Sequence, residues 1–136
     1  MNKIFFITLC SFVLLIGCGK ETTEEILEEH IQYLDSYGWH VKDKISEKSE
    51  VMNYFPERLQ TLRIAGLDLE PYKNKELVVT SYKLKEKQKT GKKMYVSIYE
   101  YDGKIIGGHG GLEDWDPGLF ALTDKERLIN EGIMTQ

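Results

Sequence analysis

The sequence predicts an α+β fold, in which an antiparallel sheet of about four strands is covered by two helices. Two segments carry apolar residues at helical spacing. Three later segments are rich in β-branched and aromatic residues and are separated by short loops, which favours an antiparallel meander. Between the last two lies Asp102-Gly103, which is typical of a two-residue hairpin turn because a type I′ turn needs positive φ at both central residues.

The first helix is predicted over about residues 23–37. Thr22 followed by Glu25 forms a capping box at its start, and Gly38 supplies a left-handed stop at its end. The outer side of this helix is acidic. Its inward positions recur at helical spacing and are Ile26, Leu27, Ile31, Leu34 and Tyr37.

A strand and a second helix are predicted next. Trp39, Val41 and Ile45 occupy alternate positions, which indicates a first strand with one exposed edge. Pro56 suits the first turn of a helix that Gly66 ends. The inward positions of that helix are Leu59, Leu62 and Ala65.

The remaining strands are predicted over residues 77–84, 94–101 and 104–107. The α+β domain is therefore expected to span residues 23–111, with both helices on one face of the sheet. Residues 112–136 form a C-terminal extension, in which Thr123 and Glu126 could cap a short helix through Ile129.

The N-terminal segment has the features of a secretory signal. Lys3 is followed by an apolar run over residues 4–16, and a helix of that length rises roughly 20 Å, less than the hydrocarbon core of about 30 Å. Leu15-Ile16-Gly17-Cys18 resembles the lipobox of bacterial lipoproteins. The resemblance implies cleavage after residue 17 and diacylglyceryl modification, with palmitate-type acyl chains, of the Cys18 thiol. The alternative is a plain signal peptide with an incidental cysteine.

These features predict a protein that is lipid-anchored on the extracytoplasmic face of the cell membrane. Residues 18–22 would be the lipidated cysteine and a short tether. Two acyl chains anchor stably where one binds only reversibly. Cys10 leaves with the signal, so no intramolecular disulfide is expected and the core alone must stabilise the domain.

Charge and motifs exclude several classes of function. The chain carries 18 Lys and Arg against 22 Asp and Glu, and this mildly acidic balance argues against nucleic-acid binding. There is no Gly-x-Ser-x-Gly nucleophile motif and no phosphate-binding glycine loop. Lys89-Thr90-Gly91 resembles a motif of penicillin-recognising enzymes, but the Ser-x-x-Lys that they also need is missing. His30 is interpreted as boundary packing and His40 as a surface residue.

Several short motifs lie between Ile26 and Gly111. They are Tyr33-Leu34, Tyr37-Gly38-Trp39, Leu59-Gln60, Gly66-Leu67-Asp68-Leu69 with Tyr72-Lys73, and the eight residues from Tyr101 to Gly108. In these motifs the chain resembles the domain-of-unknown-function family DUF4830, which occurs in Firmicutes, often behind a signal or lipoprotein segment. The family brings no established activity. Its members follow the paired glycines with an acidic residue and a cysteine, whereas here Gly107-Gly108 continue as His109-Gly110-Gly111.

One candidate metal site follows those glycines. His109, Glu113, Asp114 and Asp116 supply an imidazole and three carboxylates, which are possible ligands for a cation. A calcium loop starting at Asp114 would need glycine at its sixth position, where Leu119 stands. The alternative is a solvated glycine-rich loop.

Two candidate binding features remain. The lysines Lys85, Lys87 and Lys89 alternate where a strand runs into a loop, either protecting a sheet edge or contacting anionic head groups or wall polymers. Tyr95, Tyr99 and Tyr101 alternate along one strand and form either a binding face for carbohydrate or peptide or a set of core and cross-strand contacts.

The sequence therefore predicts a membrane-tethered, non-enzymatic domain that binds or modulates a protein or another partner in the cell envelope. No cofactor is expected. The alternative is a hydrolytic or metal-dependent enzyme that uses His109 with the nearby carboxylates.

Overall fold

The computed structural model describes residues 26–136. In chain order the elements are α1 (Glu28–Asp35), β1 (Val41–Val51), α2 (Pro56–Ile64), β2 (Glu76–Lys87), β3 (Lys93–Tyr101), β4 (Lys104–Leu112), β5 (Leu119–Phe120) and α3 (Lys125–Asn130). The signal peptide, Cys18, the tether and the Thr22–Glu25 capping box lie outside the described residues. Within residues 26–136, no helix has the length and apolarity needed to span a bilayer.

The predicted α+β class and antiparallel meander are confirmed. All neighbouring strands pair antiparallel in the order β1-β2-β3-β4-β5, so the sheet has five strands rather than about four. Asp102 and Gly103 both have positive φ, 50° and 75°, and connect the paired residues Tyr101 and Lys104. The Asp-Gly hairpin is therefore present as the sequence predicts.

The first helix starts later than predicted. Leu27 has an extended backbone and precedes the first helical residue, Glu28, whereas the sequence favoured a start near Thr23. Ile26 packs against the core, which holds the chain in an extended conformation before the helix. The predicted stop is confirmed: Gly38 has φ +83°, and Trp39 N–H donates to Leu34 O at 3.0 Å.

Two apolar clusters lie on opposite faces of the sheet. One includes Leu34 of α1 with Met94 and Ile98 of β3, and the other includes Leu62 of α2 with Tyr99 of β3. Successive side chains of a strand point to opposite faces. The expectation that both helices cover one face is therefore wrong, because β3 presents buried side chains on both of its faces.

The C-terminal segment is part of the core. Phe120, Leu122, Leu128 and Met134 are all at most 5% exposed and belong to the cluster that contains α1. Phe120 packs directly over Gly110, where an added Cβ would lie 2.1 Å from the ring. The glycines of β4 therefore make room for the segment that sequence analysis treats as an extension.

β1 is an exposed edge strand, as predicted, and it extends to Val51. Trp39 is buried, but Ile45, expected to point inward, is 46% exposed. The pairing of β1 with β2 shifts register between Lys44 and Ser46. An extra residue at such a bulge leaves the alternation, which explains why Ile45 faces solvent.

Candidate functional site

A row of polar side chains crosses four strands of the sheet. Ser46 of β1 pairs with Ser81 of β2, Ser81 pairs with Ser97 of β3, and Ser97 pairs with His109 of β4. Residues that pair directly across antiparallel strands point to the same side of the sheet. We call this side the polar face and the opposite side, on which α1 and α3 pack, the covered face.

A groove of about 240 Å³ follows this row. Its floor is formed by the row itself and by Val79 and Tyr99 on the same face. Lys48 and Glu50 of β1 and Arg58 of α2 form its sides. Helix α2 packs over one end of the polar face, so the groove lies where the helix meets the open part of the sheet.

The two central serines contact each other. The hydroxyl oxygens of Ser81 and Ser97 lie 2.8 Å apart. One hydroxyl therefore donates to the other, and the accepting serine keeps its own proton for another partner. Both residues are half-buried, so this proton is within reach of the groove.

His109 is held as a neutral imidazole. Its Nδ1 lies 3.0 Å from the carbonyl oxygen of Gly110, so Nδ1 carries the proton and donates, while Nε2 accepts from the Tyr99 hydroxyl at 3.3 Å. Burial lowers the pKa of His109 below its usual value, and the charge of Arg58 lowers this pKa further, against the opposing effect of the Gly110 hydrogen bond. Burial also raises the pKa of the Tyr99 hydroxyl, which therefore remains a donor.

The charges beside the groove are unevenly compensated. The carboxylate of Glu50 accepts a hydrogen bond from the Tyr54 hydroxyl. Burial, followed by that hydrogen bond, raises the pKa of Tyr54. The guanidinium of Arg58 lies 5.1 Å from the centre of the Tyr54 ring. Of the ion pairs within residues 26–136, none includes Lys48 or Arg58.

The predicted lysines extend the polar face. Buried and more exposed residues alternate along β2, and the exposed Lys85 and Lys87 lie on the same side of this strand as Lys83. Lys83 Nζ forms an ion pair with Asp43 Oδ2 at 3.1 Å. Lys89 is exposed in the loop that follows β2. The structure therefore places Lys85 and Lys87 on the same face as the groove, at the end of the sheet away from α2.

The three tyrosines share a face but not an environment. Tyr95 is half-buried on the open part of the polar face, opposite Lys83. Tyr99 is 2% exposed and belongs to the core under α2. Tyr101 packs against Tyr72, with ring centres 5.5 Å apart. Tyr99 and Tyr101 therefore form core contacts, although Tyr101, like Tyr95, is only half-buried.

His109 does not meet the carboxylates predicted as its co-ligands. Glu113 accepts from the backbone N–H of Lys93 at 2.7 Å, Asp114 pairs with Lys92, and Asp116 is exposed. In the part of the chain that the structure describes, no three His, Cys, Asp or Glu side chains are placed to hold a metal ion.

His30 has the packing role that the sequence predicts, but it lies in the core rather than at the boundary. It is fully buried between α1 and the sheet, with Nδ1 2.6 Å from the Tyr82 hydroxyl and Nε2 in contact with the Glu100 carboxylate. Burial raises the pKa of Tyr82 to about 12, which keeps its hydroxyl protonated. The three side chains satisfy one another and attach α1 to the covered face.

Sequence reasoning also missed the serines and Arg58. Ser46, Ser81 and Ser97 are isolated in the sequence and become neighbours only through the pairing register of three strands. Arg58 reaches the groove because α2 packs on the polar face. Tyr95, Ser97 and Tyr99 occupy every second position of β3, and this spacing is the one local signal that Ser97 shares a face with the two tyrosines.

The model of a family described as a domain of unknown function (DUF4830) matches residues 33–109. The match covers more than half of the chain and contains every residue that lines the groove. No curated protein and no solved structure matches the chain.

Proposed function

The chain belongs to the DUF4830 family, and from that premise we propose that it is a bacterial lipoprotein with a binding rather than an enzymatic function. Its signal peptide is residues 1–17, and lipid on Cys18 holds it on the extracytoplasmic face of the cell membrane. Its polar face binds an anionic polymer of the cell envelope.

One observation carries the proposal. The polar face carries a cluster of cationic side chains, although the chain as a whole has a formal net charge of −4. Lys48, Arg58, Lys85 and Lys87 lie outside the ion pairs found among residues 26–136. A surface with clustered charge of one sign attracts partners of the opposite sign and raises their rate of association.

The position of the anchor favours a polymer over the lipid head groups. Ile26, the first described residue, packs into the core on the covered face. We propose that the chain therefore enters the domain from the covered face, so that this face lies nearer to the lipid on Cys18 than the polar face does. The first turn of α1 is acidic, with Glu28 and Glu29. We propose that the polar face, rather than this acidic turn, carries the contacts with an anionic partner, and that this partner is not the membrane surface.

The test is binding of the unlipidated chain, residues 18–136 with Cys18→Ala, to a soluble phosphodiester polymer such as poly(glycerol phosphate). Reversing the three predicted lysines, Lys85→Glu, Lys87→Glu and Lys89→Glu, should weaken binding by about tenfold or more, since each lysine near an anionic surface contributes about 1 kcal/mol. The matched control reverses three lysines at the opposite end of the sheet: Lys73, Lys75 and Lys104.

The control variant has the same net charge as the test variant, so it separates a local surface from a general attraction. The proposal requires the control to bind nearly as tightly as the wild-type chain. Equal weakening in both variants, or tighter binding to vesicles of phosphatidylglycerol than to the polymer, would contradict it.

A further inference from the structure

The serine row offers hydrogen-bond donors on the floor of the groove. Ser81 and Ser97 share one hydrogen bond, which leaves one hydroxyl proton of the pair available to a ligand. Ser46 continues the row on β1. Because His109 donates to Gly110 and accepts from Tyr99, the imidazole is already satisfied and holds the end of the row in place.

Two cations line the same groove as these donors and come from different elements. Lys48 comes from β1 and Arg58 from α2, and both line the groove. Arg58 lies over the Tyr54 ring and hydrogen-bonds the Tyr99 hydroxyl, which limits its motion, and its remaining N–H groups can donate to a ligand. Arginine binds phosphate through two parallel hydrogen bonds, which is a stronger and more directional contact than lysine makes.

The size and remaining charge of the groove restrict the ligand. A volume of about 240 Å³ lies below the roughly 300–1,000 Å³ of pockets that enclose a whole drug-sized molecule. It suits one charged group of a larger molecule. Glu50 lies at the α2 end of the groove, where Tyr54 already donates to its carboxylate, and two cations outnumber it.

We infer that the groove binds a single phosphate group, with Arg58 and Lys48 as the charged ligands and the Ser81–Ser97 pair as the neutral donor. The inference rests on the proposed function, because it names the charged group of the anionic partner. The same phosphate chemistry occurs in an envelope polymer and in a lipid head group, so the experiment must separate these sources.

The experiment is a titration of the unlipidated chain, residues 18–136 with Cys18→Ala, with inorganic phosphate, followed through backbone amide resonances. Saturable shifts are expected at Ser81, Ser97 and His109, with acetate giving much smaller ones. Arg58→Gln should weaken phosphate binding about tenfold, the loss expected for a hydrogen bond to a charged group. The control, Arg63→Gln, alters an arginine of the same helix that pairs with Glu70 and Asp68 and should bind like the parent chain.

Two further arms distinguish the possible failures. Poly(glycerol phosphate) should displace inorganic phosphate from the groove, whereas phosphatidylglycerol vesicles should not. One outcome would overturn the inference and leave the proposed function standing. In it, polymer binding depends on Lys85, Lys87 and Lys89, is unchanged by Arg58→Gln, and gives no resonance shifts in the groove. Phosphate binding in the groove without any polymer binding would instead overturn the proposed function. Lys48→Gln provides a second variant, and an unchanged amide spectrum outside the groove shows that it folds.

Discussion

The hydroxyl oxygens of Ser81 and Ser97 lie 2.8 Å apart across two neighbouring strands, in the middle of the row that ends at His109. Both serines are half-buried, and the backbone pairing of the sheet does not involve their hydroxyl groups. The arrangement supports a role in binding more than one in stability.

Replacing both serines, Ser81→Ala with Ser97→Ala, should therefore weaken phosphate binding while leaving the fold intact, because either serine alone would still offer its hydroxyl proton. The expected change in the free energy of unfolding is below about 1.5 kcal/mol, the usual net value of one hydrogen bond. Urea unfolding and phosphate titration measure the two effects. Ser49→Ala, on an exposed position of β1 that pairs with Val78, is the control and should change neither quantity. An unchanged phosphate affinity in the double variant would count against the groove.

His30→Leu should destabilise the protein by about 2–4 kcal/mol, because it leaves the Tyr82 hydroxyl and the Glu100 carboxylate without their buried partner. Urea unfolding measures the loss. The matched control is His40→Leu, since the side chain of His40 is 55% exposed and its contact with Glu86 contributes little. Similar stability of both variants would show that the His30 contacts do not hold α1 in place.

His109 should make stability depend on pH. Its pKa in the folded protein is below the ordinary value of about 6.5 because burial disfavours the imidazolium. Between these two pKa values the unfolded chain binds more protons, so the free energy of unfolding rises with pH. This contribution is fully present above the unfolded pKa and is lost as pH falls through the folded pKa.

The measurement compares urea unfolding of the wild-type chain and His109→Gln from about pH 7.5 to about pH 5. The wild-type chain should lose more stability on acidification than the variant, since glutamine does not titrate. Parallel curves for the two proteins would mean that His109 has the same pKa in both states.

The elements that the sequence predicted well depend on local chemistry. The Asp102-Gly103 turn needs two residues that tolerate positive φ, and Gly66, with φ +84°, follows α2 as the sequence predicted. Pro56 stands in the first turn of that helix, where its missing N–H costs nothing. Such features involve neighbours in sequence, so no knowledge of the fold was needed.

The features that were missed depend on contacts between distant segments. The bulge between Lys44 and Ser46 decides which side chains of β1 point to the polar face, and nothing in the local pattern marks it. The packing of Phe120 over Gly110 makes the C-terminal segment part of the core. The groove is formed by the strand register together with the position of α2. The sequence therefore predicts only separate candidate residues, namely lysines, tyrosines and one histidine.

Lipid attachment rests on the sequence alone and has a direct test. Cells that express the wild-type chain should incorporate labelled palmitate into it, and Cys18→Ala should abolish incorporation together with cleavage after residue 17. Cys10→Ala is the control, because Cys10 is removed with the signal peptide and its loss should leave labelling intact. Palmitate labelling of the Cys18 variant, or an identical processed mass, would contradict the proposed anchor.

In the cell envelope, the polar face should be occupied by an anionic polymer. Amine-reactive labelling of the lipidated protein in intact cells, compared with labelling after detergent release, tests it most directly. Release should markedly increase the reactivity of the polar-face lysines Lys48, Lys85 and Lys87 and leave that of Lys73 and Lys75 unchanged. Equal reactivity of the polar-face lysines in cells and after release would contradict it.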